Sequence, residues 1–110
     1  MNNDKTQVAK TILQQLGGRR FMVMTGSKQP VAGENFLMLK LARNKSGANK
    51  LKVTLKKNDT YKVEFMRVSF GPKTGPKCTD KGTFDGVYFD QLQDIFEETT
   101  GLYTTLHQRK

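Results

Sequence analysis

Leu51, Val53 and Leu55 alternate with Lys50, Lys52, Thr54 and Lys56, the period-two pattern of a half-buried strand with one apolar and one lysine-rich face. Tyr61, Val63 and Phe65 alternate in the same way with Lys62, Glu64 and Met66, in a strand running to about Phe70. Upstream, Leu37, Leu39 and Leu41 alternate with Phe36, Met38 and Lys40. The polar, glycine-containing residues 43–49 and the tight turn Lys57-Asn58-Asp59-Thr60 separate these runs, so the three form an antiparallel meander.

Residues 4–16 follow a different period. Val8, Ala9, Ile12, Leu13 and Leu16 recur every three or four positions on one helical stripe, with Asp4 placed as N-cap and Gly17-Gly18 as the stop. Residues 19–25 read as a short strand, Phe21 and Val23 on one face and Met22 and Met24 on the other. Gly26, Pro30 and Gly33 then predict a loop over residues 26–34. Residues 71–82, with three glycines, two prolines and three lysines but no apolar period, predict a mobile basic loop. A last helix begins near residues 85–90, carries Tyr88, Leu92, Ile95, Phe96 and Thr99 on one stripe, and closes at Gly101. The expected fold is α+β: an antiparallel sheet of four or five strands with an N-terminal and a C-terminal helix packed on one face.

The 110 residues make a single domain, 1–110, able to bury roughly two-thirds of the surface its unfolded chain exposes. The opening residues lack the basic and apolar regions of a secretory signal, and no apolar run is long enough to span a bilayer. The expectation is therefore a cytoplasmic protein with no membrane partner. Cys78 is the only cysteine, which excludes an internal disulfide and a cysteine-based zinc site.

Charge changes the picture most. The chain carries +9, and residues 40–81 hold twelve cations against three anions, which equals that whole excess. Residues 83–110 hold two cations against five anions. With Leu51, Val53 and Leu55 turned inward, strand parity sends Lys50, Lys52 and Lys56 to the opposite face. Lys62 and Lys40 join them there, and Arg43, Lys45, Lys73 and Lys77 flank the face from the loops. Such a surface suits a phosphate backbone, which makes nucleic acid, DNA or RNA, the expected partner. Lysines also keep an open sheet soluble, but that role predicts acids scattered among them, and here acids gather in the last helix. The alternative function is a protein-interaction module or inhibitor of a host factor. In that reading the lysine face or the acidic helix docks an acidic protein or, respectively, the basic sheet of a second copy in a homodimer.

Catalytic chemistry finds little footing. His107 lies beside the C-terminus, and the serines lack a nucleophile elbow. Cys78 beside Lys77 reads as an ordinary loop thiol. Asp90, Asp94, Glu97 and Glu98 read as a solvated acidic face, and Gly17-Gly18-Arg19-Arg20 lacks a phosphate-loop pattern. The expectation is no enzyme, no catalytic residue, no cofactor and no metal.

Residues 13–21 (LQQLGGRRF), 59–65 (DTYKVEF) and 86–96 (GVYFDQLQDIF), with Thr100-Gly101-Leu102-Tyr103, form a pattern that resembles small uncharacterised proteins of bacteriophages, plasmids and other bacterial mobile elements, over about residues 12–106. The resemblance implies a bacterial cytoplasm and tasks such as nucleic-acid handling or inhibition of a host system. It implies no activity, cofactor or site residue. Double-stranded RNA-binding domains share the helix, three strands, helix order, yet they place lysines at the start of the second helix, where this chain has Asp85-Gly86-Val87-Tyr88-Phe89-Asp90.

Overall fold

In the computed structural model, which describes residues 7–73 and 75–102, five strands form one antiparallel sheet in chain order. They are β1 (Lys28–Ala32), β2 (Phe36–Lys40), β3 (Lys50–Leu55), β4 (Tyr61–Gly71) and β5 (Gly75–Val87). Helices α1 (Gln7–Leu16) and α2 (Gly18–Thr25) precede the sheet, and a 3-10 turn (Phe89–Gln91) leads into α3 (Leu92–Thr100). The fold is α+β. Asp4 and His107 lie outside the described residues.

The meander follows the expected parity. Leu37, Leu39, Leu51, Val53, Tyr61, Val63 and Phe65 are buried and form one core with Ala9, Ile12 and Leu16 of α1, Phe21 of α2, and Leu92 and Phe96 of α3. Phe96 is the keystone. Its ring meets Phe21 edge-on at 5.0 Å and lies 6.3 Å from Phe65, joining α2 and α3 to β4. Tyr61 donates its hydroxyl proton to Gln15 Oε1 at 2.7 Å, and Gln93 donates its amide to the Leu16 carbonyl at 2.9 Å, satisfying an end of α1.

Three segments depart from the sequence reading. Residues 19–25 are helical: Gly17 and Gly18, both at positive φ, turn the chain from α1 straight into α2. Phe21 and Thr25, four apart, then share the buried side while Val23 is 76% exposed, so the helical period prevails over alternation. Residues 28–32 form edge strand β1 rather than a loop. Every residue of β1 is exposed, so no apolar period marked it, and Pro30 is tolerated because the strand lies at the sheet edge. Gly33 lets the following turn close against the Phe36 ring, where any Cβ would collide.

The third departure is the largest. Residues 75–82 are not a loop but the first half of β5, paired with β4 from Gly71↔Gly75 down to Tyr61↔Val87. β5 is the other edge strand, nearly all exposed, and a bulge between Phe65 and Met66 absorbs one extra residue on its side. Asp80 holds that bulge by accepting from the Gly82 N–H at 3.0 Å and the Thr83 hydroxyl at 2.9 Å. Because β5 continues to Val87, the last helix begins later than expected, and Tyr88 stands 59% exposed ahead of it rather than on its buried stripe of Leu92, Phe96 and Thr100.

Candidate functional site

Among the described residues the helices cover one face of the sheet and leave the other, with its lysines, uncovered. Register aligns the outward-facing side chains in rows. Lys28 of β1 stands opposite Lys40 of β2, Lys40 opposite Lys50 of β3, and Lys50 opposite Met66 of β4. Neighbouring strands lie about 4.8 Å apart, so three ammonium-bearing stems follow one another across three strands. Among the described residues none of these three forms an ion pair with a carboxylate. The sequence reading missed Lys28, since a residue assigned to a loop has no face.

The next rows are different in character. Lys52 lies between Met38 and Glu64, and its Nζ sits 4.6 Å above the Phe36 ring. At the far end Lys56 Nζ contacts both oxygens of Asp85, at 3.2 and 3.3 Å. A hydrogen bond from the Gly86 N–H, and after it the Lys56 ammonium, hold the Asp85 carboxyl below its ordinary range, and Lys62 adds to the attraction from a little further away. Acids therefore do stand among the lysines here, although the sequence concentrates them in the last helix. This half of the face fits a solubilising surface, and the excess positive charge lies at the Lys28, Lys40 and Lys50 end.

The loops sort likewise. Asn44 organises residues 42–48 by donating to the carbonyls of Ala42 (2.7 Å) and Ala48 (2.9 Å) while accepting from Ser46. Arg43, exposed, and Arg67, which donates to the Gly47 carbonyl at 3.0 Å, border a recess of about 260 Å³ at the lysine-row end. Lys45 turns elsewhere: its N–H donates to the Thr100 carbonyl, and its stem runs along Gly101, so it serves the C-terminus of α3. Lys73 and Lys77 ride on the β4–β5 hairpin, which passes β3 and projects from the same end of the sheet. Of the nine residues expected in the site, the structure thus groups Lys40, Arg43, Lys50, Lys73 and Lys77 toward one end, adds Lys28 and Arg67, and sets Lys45, Lys52, Lys56 and Lys62 apart.

Asn49 defines the root of that hairpin. Its side-chain amide donates to the Val68 carbonyl at 2.9 Å and accepts from the Val68 N–H at 2.8 Å, taking the part of a backbone where β3 has stopped. Cys78, opposite Val68, is exposed. Among the described residues no three of His, Cys, Asp and Glu come together as a metal site, and no helix is long and apolar enough to cross a membrane. Compared with protein-family models, curated proteins and solved structures, the chain matches none.

Proposed function

We propose that this protein is a nucleic-acid-binding accessory protein, of the kind mobile elements carry, that contacts phosphates through Lys28, Lys40 and Lys50 with help from Arg43 and Lys73. One observation supports the reading: three lysines in direct cross-strand register on the sheet face away from the helices, with no acid paired to them among the described residues. Like charges placed directly opposite one another on a sheet destabilise it, so the row opposes folding and supports an anionic partner. Phosphates spaced along a backbone neutralise such a row and release counterions, and affinity then falls steeply with salt.

Titration of labelled single- and double-stranded oligonucleotides at two salt concentrations tests it. Binding at low salt that weakens in the Lys40→Glu/Lys50→Glu variant is the expected result. No binding at low salt, or binding indifferent to that variant, removes the proposal. A specific protein captured from nuclease-treated host lysate through the same lysines would favour a host-factor inhibitor instead.

A further inference from the structure

We infer that the free end of the β4–β5 hairpin is an arm that enters the major groove of double-helical DNA, with Phe70 and Pro76 against the base edges. This rests on the nucleic-acid reading above and specifies its substrate.

The arm begins where the sheet ends. Asn49 clasps Val68, and beyond it Ser69↔Lys77, Phe70↔Pro76 and Gly71↔Gly75 pair, among the described residues, only with each other. Three residues beyond Val68, at about 3.4 Å each, extend the ribbon about 10 Å past its last support. The major groove of B-form DNA is about 8.5 Å deep and about 12 Å wide, and it admits a two-stranded ribbon. The tip therefore reaches the groove floor as the root meets the phosphate ridges.

Side-chain parity decides what the tip presents. On β4 the residues Met66, Val68 and Phe70 continue the lysine face, and their partners on β5 place Pro76 and Cys78 beside them. Phe70 is 75% exposed, an aromatic ring at the tip of a ribbon where it packs on no core. Apolar side chains, phenylalanine among them, contact thymine methyl groups in the major groove. Around this strip residues 66–81 hold Arg67, Lys73, Lys77 and Lys81 against Asp80 alone. Two such tips repel each other, so the charge favours a polyanion over a second copy of the chain. A-form RNA is a poor fit because its major groove is too narrow for side chains to read.

Three proteins are titrated into a short duplex DNA and into the same sequence as a single strand. They are the wild type, Phe70→Ala, and a shortened arm in which Asn-Gly replaces residues 69–77 and closes the hairpin on the Val68↔Cys78 pair. The expected result is a duplex preference in the wild type and about tenfold weaker duplex binding by Phe70→Ala, with single-strand binding nearly unchanged. The shortened arm loses the duplex preference. Binding that withstands netropsin, a minor-groove ligand, is expected as well. Equal loss on both substrates, unchanged duplex binding by Phe70→Ala, displacement by netropsin, or Phe70-dependent dimerisation in sedimentation overturns the arm while leaving the phosphate-binding sheet standing. If the wild type binds neither substrate at low salt, the broader reading fails first.

Discussion

Lys40 and Lys50 are direct cross-strand partners on an uncovered sheet face, and Lys28 stands opposite Lys40 on its other side. Lys50→Glu turns one repulsion into an attraction. It is expected to raise stability by about 0.2–1 kcal/mol in urea unfolding while weakening oligonucleotide binding. Opposite signs in the two measurements distinguish a row kept for a partner from one kept for solubility, which would lose nothing in binding.

Salt dependence counts the contacts. About five phosphate contacts give a slope of log affinity against log salt of roughly −4.5 on duplex and −3.5 on single strands. Lys50→Gln is expected to flatten the duplex slope by about 0.9, whereas Lys56→Gln leaves it nearly unchanged because Asp85 already occupies Lys56. Equal effects from both positions would contradict the division of the face into a free and a neutralised end.

Asp85 sets an acid limit. Its folded carboxyl titrates below the usual range because of the Gly86 N–H and the Lys56 ammonium. The stability it contributes is fully present above its unfolded pKa, about 3.9, and is lost as pH falls through the lower folded value. The stability difference between wild type and Asp85→Asn is expected to be flat above about pH 5 and to shrink below about pH 4, followed by urea unfolding across that range. The same variant releases Lys56 and steepens the salt slope of binding.

Tyr61 sets an alkaline one. Burial raises its phenol above the ordinary value, outweighing the hydrogen bond to Gln15, and Asp59 adds in the same direction. Stability from Tyr61 is present below the unfolded pKa, about 10, and is lost as pH rises through the folded one. With Tyr88→Phe and Tyr103→Phe, Tyr61 is the only phenol left. Its phenolate absorbance is expected to develop above about pH 10, and to fall back to that value once urea unfolds the chain.

The helical nature of α2 predicts unequal costs at two positions. Phe21→Ala removes a fully buried ring that meets Phe96 and is expected to cost about 3–5 kcal/mol, while Val23→Ala, at an exposed site, changes stability by less than about 0.5 kcal/mol. Comparable losses in urea unfolding would restore a strand with both residues on one buried face.

Where a side chain's burial follows the local period, the sequence suffices: the parity of Leu51 and Val53 correctly turned Lys50 and Lys52 outward, and Ile12 and Leu16 correctly placed α1. Edge strands escape that logic. β1 and most of β5 bury almost nothing, so hydrogen bonding to β2 and β4, which leaves no trace in hydropathy, is what makes them extended. Lys28 escapes the hydropathy pattern for this reason, and so does the extended pairing of residues 75–82. In α2 the exposed Val23 imitated an alternation that the buried Phe21 and Thr25 do not share. The Lys56 to Asp85 contact joins residues 29 apart in sequence, and only the folded sheet makes them neighbours.

The amide of Asn49 marks a frontier between two kinds of sequence. Inward of Val68, β4 alternates buried and outward side chains over the shared core. Outward, residues 69–73 and 75–77 answer, among the described residues, only to ribbon pairing, so this short stretch is an exchangeable cassette whose identity can be rewritten without renegotiating the fold. A protein built this way can change what its tip addresses while inheriting its stability intact.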